Sequence, residues 1–168
     1  MDESGDPNAD SELSEVRIRR LPPQRKRASI PGIIECVPVL GCVNMGSLEI
    51  LKQWVAAVNA HDVAALAALM AANHVFVDSL GNRVEGARSM EAGWRGYFAM
   101  CPDYWIRVDH LMAEGDTLLG AGEAGGTIDG ESWRIPAAWK AVIRDGSVVE
   151  WRVFADNKPV YEILGRRR

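Results

Sequence analysis

The chain has 168 residues with 48% apolar content, enough for one compact domain and little more. A net charge of -4 with no sustained basic face excludes nucleic-acid binding, because a phosphate backbone demands clustered Lys and Arg. The three cysteines, Cys36, Cys42 and Cys101, are odd in number and lack metal or redox spacing, so neither a disulfide framework nor a zinc site is expected and a reducing cytoplasm fits.

The first 45 residues run from an acidic start (DESGDPNADSELSE) through a basic block (RIRRLPPQRKR) to a Pro-interrupted apolar patch (IPGIIECVPVLGCV). None of this has a helix or strand period. Residues 1 to 29 read as disordered by their charge, and the apolar patch is too short and too Pro-rich to span a bilayer. Arg25, Lys26 and Arg27 could open a secretion signal with Val39-Leu40-Gly41-Cys42 as a lipoprotein cleavage box, but Pro31, Glu35 and Pro38 interrupt the apolar run such a signal needs. Met45, just ahead of Ser47, is an alternative natural start, with the preceding segment misassigned upstream translation. The expected organisation is an extension over 1–45, one domain over 46–165 and a solvated basic tail over 166–168.

From Ser47 the pattern is regular. SLEILKQWVAAVNAHDVAALAALM reads as helix, turn and helix, with Leu51, Trp54, Val55 and Val58 on one face and Val63, Leu66 and Met70 on the next. Ser47 and Asp62 are expected to N-cap these helices, and Asn59-Ala60-His61 to form the turn. The short strand HVFVD then delivers Asp78 into the loop SLGNRVEG, which is how a fold places a general base at the mouth of an apolar pocket. A third helix, ARSMEAGWRGYFAM, is stopped by Pro102.

Four extended segments follow: 104–113, 117–127, 132–144 and 147–155. Their separators, Glu114-Gly115-Asp116, Asp129-Gly130 and Arg144-Asp145-Gly146, are those of an antiparallel meander. Helices followed by strands predict an α+β fold, a cone-shaped curved antiparallel sheet packed against three N-terminal helices. With Lys140, Arg144, Glu150 and Arg152 facing water, alternation turns Trp139, Ala141 and Ile143 inward together with Val149, Trp151 and Val153. The same rule sends His110 inward with Val108 and Met112. Gly120, Gly122, Gly125 and Gly126 mark a bend or leave cavity volume.

The run WVAAVNAHDVAALAALMAANHVFVDSLG, residues 54–81, resembles the start of ketosteroid isomerases, and PAAWKAVIRDGSVVEWRVFADNKPVYEIL resembles the closing hairpin of SnoaL-like polyketide cyclases. Both groups belong to the nuclear-transport-factor-two-like superfamily, and the similarity covers about residues 47 to 164. It implies a cystatin-like α+β barrel with Asp78 as the catalytic carboxylate, removing a proton alpha to a ketone. It implies too that Trp54 stands at the isomerases' oxyanion tyrosine and Trp139 at their second acid. An indole N–H can donate one hydrogen bond there but shares a proton weakly. Trp94 takes the place of another pocket aromatic. Trp151 lies where the epoxide-hydrolase relatives carry a pocket tryptophan, but their final-strand acid is Val153 here, so epoxide hydrolysis is set aside.

Taken together, Asp78 and His110 are the candidate catalytic residues, and Trp54, Met70, Trp94, Trp139 and Trp151 the candidate substrate-binding residues. The expected function is a cofactor-independent isomerase, cyclase or lyase using Asp78 as general base on a hydrophobic carbonyl substrate. The alternative is a non-catalytic module of the same fold that binds a hydrophobic ligand or dimerises through its sheet. Plainer roles stand beside these: Asp78 as the Asx cap of its turn, His110 as a core histidine, the tryptophans as core or dimer packing. No residue pattern identifies a metal, nucleotide or haem. No cofactor and no membrane span are expected, and a homodimer is.

Overall fold

The computed structural model describes residues 45–166. The N-terminal segment with the candidate lipoprotein box at Cys42, and the last two arginines, lie outside the described residues.

Helix α1 (Met45–Asn59) buries Leu51, Trp54 and Val58, spaced three and four apart, which is the stripe an amphipathic helix presents to a core. It begins two residues before Ser47, so Ser47 is buried inside the first turn and not at the cap position. Asp62 does cap α2 (Val63–Leu69), accepting from the Ala65 N–H at 2.9 Å. Met70 has already turned to extended backbone (ψ 138°), ending α2 and opening β1 (Met70–Val77). The strand is thus longer than HVFVD, and Met70 is buried in the core at its start.

After the short β2 (Arg83–Glu85) and α3 (Ala87–Met100) come β3 (Trp105–Glu114), β4 (Thr117–Ile128), β5 (Glu131–Arg144) and β6 (Ser147–Ala155). A further helix, α4 (Lys158–Gly165), follows. The hairpin turns are those the sequence announces: Asp129 and Gly130, then Asp145 and Gly146, all have positive φ, as tight two-residue turns require.

The fold is α+β, and its curved, unclosed sheet has the order β2-β1-β6-β5-β4-β3. Strands β3 to β6 form the expected antiparallel meander. The sheet as a whole is mixed, because β1 joins it parallel to β6 (Phe76 opposite Trp151). Helix α1 packs on β3 and β5, α3 on β1 and β2, and α4 on β4 and β5, enclosing the core against the sheet.

Two bulges overturn parts of the expected alternation. In β3 the register shifts between Val108, opposite Gly122, and His110, opposite Ala121, so Asp109 is an extra residue. One added residue exchanges the faces of everything beyond it. His110 is accordingly exposed, and Met112 is 67% exposed. In β6, Val142 pairs with Glu150 but Ile143 with Val148, so the buried residue is Val148 and Val149 is only half-buried.

Gly122 explains the first bulge. A Cβ there would lie 1.9 Å from the Arg107 carbonyl oxygen. Gly126 likewise leaves room for Cys101 and the backbone of Tyr104. These glycines serve close approach within a continuous strand and do not break it.

Candidate functional site

Between the concave side of β4 to β6 and the helices α3 and α4 lies a cavity of about 360 Å³. Its walls are aromatic: Trp94 and Tyr97 from α3, Tyr104 at the entry to β3, Trp133 from β5, Trp151 from β6 and Tyr161 from α4. The spacing in α3 puts Trp94 and Tyr97 on adjacent faces of one turn, their rings 6.4 Å apart and nearly perpendicular. Tyr104 stacks on Trp133 at 6.0 Å and meets Tyr97 edge-to-face at 4.9 Å.

Asp78 reaches this cavity from the end of β1. It is the sole carboxylate among the described residues lining it, and no Lys, Arg or His lines it. The turn holds the side chain in place: Oδ1 accepts from the Leu80 and Asn82 N–H groups, each at 2.9 Å, and Oδ2 from Asn82 Nδ2 at 2.8 Å. Gly81, with φ of 89°, makes the turn possible. The next residue, Ser79, accepts a 2.8 Å hydrogen bond from Asn157 Nδ2, tying the loop to the start of α4.

The structure brings Asp78, Trp94 and Trp151 together on the cavity wall. Trp54 and Trp139 lie behind that wall, fully buried: Trp54 packs against Trp94 and Trp151 at 6.3 and 5.5 Å, and Trp139 stacks on Trp151 at 6.4 Å. They back the lining and do not form it. Met70 lies in the core away from the cavity, and His110 stands on the outer surface of β3.

Sequence reasoning missed Tyr97, Tyr104, Trp133 and Tyr161. Tyr97 sits three residues after Trp94 on the same helix, and Trp133 shares the parity of Trp139 along β5, so both carried a readable signal. Tyr161 depends on α4, which was not foreseen. His74 was missed as well. Its ring is fully buried against Trp54 at 5.6 Å, its Nδ1 donates to the Val148 carbonyl at 2.8 Å, and its Nε2 has no partner among the described residues. Burial lowers its pKa, opposed by the hydrogen bond to Val148.

Burial also pushes the Tyr97 and Tyr104 phenols upward, with Tyr104, Cys101 and Tyr161 adding to the shift of Tyr97 and Cys101 to that of Tyr104, so both remain neutral O–H groups over the working pH range. Among the described residues no group of His, Cys, Asp and Glu side chains is placed to share a metal ion. No helix among them is long and apolar enough to cross a membrane. Chemically, the arrangement offers a small apolar ligand aromatic walls, phenolic donors and one anchored carboxylate.

The backbone resembles several solved structures. A protein of ketosteroid-isomerase-like fold from Catenulispora acidiphila, crystallised with trimethylamine, is 23% identical, covering 63% of this chain and 84% of that one with a TM-score of 0.59. A protein assigned as a SnoaL-like polyketide cyclase from Jannaschia sp. is 19% identical over 70% of this chain and 90% of that one, TM-score 0.64. An LEH-like epoxide hydrolase from M. tuberculosis is 16% identical over 73% and 91%, TM-score 0.64. At these identities the likeness is one of fold, on which several chemistries are carried. None of the curated proteins matches the chain in sequence. The family model for the SnoaL-like domain does match it over residues 51–151, more than half of its length, and the chain therefore belongs to the SnoaL-like family.

Proposed function

We propose that this chain is a cofactor-independent enzyme of the isomerase, cyclase or lyase type, in which Asp78 is the general base on a hydrophobic carbonyl compound held in the aromatic cavity. The observation that carries this reading is that Asp78 is the one carboxylate among the described residues lining a largely apolar and aromatic hollow, whose other polar residues, such as Ser79, Ser89 and Asn157, are uncharged. Its three hydrogen bonds leave part of an acceptor set of about four lone pairs unfilled. A base held in fixed orientation beside a bound ketone is what proton abstraction requires.

The test is deuterium exchange at the α-carbons of a panel of hydrophobic ketones, followed by mass spectrometry, with the full chain and its Asp78→Asn variant. Asn retains an oxygen to accept from the Leu80 and Asn82 backbone N–H groups, so the turn is preserved while the charge is lost. Exchange by the native chain, reduced about 100-fold or more in the variant, is expected. Exchange that the variant sustains to within a few-fold refutes Asp78 as base.

A second reading, ligand binding without turnover, is favoured by one specific observation: the turn itself uses both oxygens of the carboxylate. A folded chain that binds ketones and exchanges none of them selects it. Supporting a homodimer through the outer sheet face, Met112 and Leu119 are paired across β3 and β4 and exposed, and Phe154 is 48% exposed nearby, with the Lys140–Glu150–Arg152 ion cluster at their rim. The buried thiol of Cys101 fits a reducing, cytoplasmic setting.

A further inference from the structure

We infer that the hydroxyls of Tyr97 and Tyr104 together form the polar anchor of the cavity, receiving a neutral acceptor oxygen of the ligand and thereby deciding which apolar compounds it admits. This rests on the reading of the hollow as a ligand site and adds to it residues and a selection rule that the general-base reading does not contain.

The two rings line the same cavity 4.9 Å apart, at 87° to one another. Neither hydroxyl has a hydrogen-bond partner among the described residues. Each O–H is therefore left to donate to whatever fills the cavity: a ligand that supplies an acceptor satisfies it, whereas an apolar ligand that displaces water leaves it unpaired at a cost of about 1–3 kcal/mol. Tyr104 is also held still. His61, at the α1–α2 turn, hydrogen-bonds through Nε2 to the Tyr104 carbonyl at 2.7 Å, and Asn59 pairs with both backbone groups of Ile106, at 3.0 and 2.8 Å. Tyr97 is set by α3 and linked to the same segment through the Cys101 N–H, which donates to its carbonyl at 2.8 Å. Two donors fixed in this way select by hydrogen bonding, and such sites discriminate more sharply than apolar walls do.

The acceptor must be neutral. Among the described residues no Lys, Arg or His lines the cavity to offset an anionic group, and the one carboxyl group there is that of Asp78. The matching ligand is a flat, largely apolar compound bearing a ketone, ester or amide carbonyl.

The experiment uses three naphthalene probes of similar shape: 2-acetylnaphthalene, its hydrocarbon isostere 2-isopropenylnaphthalene, and 2-naphthoate. Their affinities are measured by tryptophan fluorescence and calorimetry on the full chain and on Tyr97→Phe, Tyr104→Phe and the double variant. The native chain is expected to prefer the ketone over the hydrocarbon by about 3- to 10-fold for each hydroxyl and to bind naphthoate weakest. Each Phe variant should lose its share of the ketone preference with hydrocarbon binding unchanged, and the double variant should bind both alike.

Equal binding of ketone and hydrocarbon by the native chain overturns the inference without any variant. So does a preference that survives both substitutions, or a failure to bind any of the three probes. If the ketone preference depends on the tyrosines while Asp78→Asn leaves exchange intact or exchange is absent, the anchor stands and the general-base reading falls. If exchange depends on Asp78 and the preference is indifferent to the tyrosines, the reverse holds.

Discussion

His74 gives the protein a pH dependence that can be worked out from its surroundings. The ring is wholly buried in β1, against Trp54, and its one hydrogen bond is donated by Nδ1 to the Val148 carbonyl. That bond fixes the neutral tautomer, leaving a bare lone pair on Nε2 with no partner among the described residues to stabilise a second proton. Burial therefore lowers the folded-state pKa below the ordinary 6.5. In the unfolded chain the imidazole takes up a proton as pH falls through 6.5, whereas in the folded chain it stays neutral until the lower value is reached. The unfolded state then binds more protons, so stability is full above 6.5 and is lost as pH falls toward the folded value.

For one proton the slope is about 1.4 kcal/mol per pH unit, and between pH 7.5 and 5.5 the loss amounts to at most about 1.4 kcal/mol. Other groups titrate in the same range, so the measurement is a difference. Urea denaturation of the native chain and of His74→Asn is followed across that interval. Asn keeps a side-chain N–H at the position of Nδ1 and cannot charge. The variant is expected to be less stable at pH 7.5 because it leaves part of the ring's space empty, and the gap should narrow steadily toward pH 5.5. A gap that stays constant across the interval refutes the reasoning.

Two glycines test the backbone argument in opposite directions. Gly122→Ala forces its Cβ into the Arg107 carbonyl and should cost about 2–4 kcal/mol in chemical denaturation, whereas Gly96→Ala, on the exposed side of α3 with nothing within 4 Å, should stabilise by about 0.5–1 kcal/mol. Asn82→Ala removes the side-chain donor to Asp78 Oδ2 but keeps the charge and the backbone donors. Under the general-base reading it should lower the rate of ketone exchange several-fold while leaving ketone affinity within about 2-fold.

What was legible in the sequence was local. The stripe Leu51, Trp54 and Val58 on α1, the Asp62 cap and the positive-φ residue pairs of the hairpins each depend on residues within a turn or two of one another. What was not legible was set by partners distant along the chain. The bulge at Asp109 exists because of where Gly122 falls across the ladder, and the one at Val149 because of how β5 meets β6. A strand's own alternation contains neither fact, so His110 and Val149 were assigned to the wrong face. The parallel pairing of β1 with β6 joins residues about 75 apart, such as Phe76 and Trp151, and no local pattern encodes it. Within the site, Trp94 and Trp151 are named through the family resemblance, and both line the cavity, whereas Trp54 and Trp139, named the same way, lie behind it. Tyr97 and Tyr104 escape a sequence reading because the anchor role inferred for them depends on hydroxyls with no partner among the described residues, a property only the packed chain reveals.

Asp78 illustrates why a local role and a site role need not compete. The hydrogen bonds from Leu80 and Asn82 that make it a turn cap also restrict the rotation of its side chain, and under the general-base reading a base that must meet one particular proton gains from losing that freedom. The same loop carries Ser79, whose bond to Asn157 fixes the start of α4 and with it the wall that bears Tyr161. Acid and wall therefore share one support. A change in this loop moves both the charge and the shape of the cavity, which is why substitutions that separate them, charge alone at Asp78 and anchoring alone at Asn82, are more informative than any deletion of the loop.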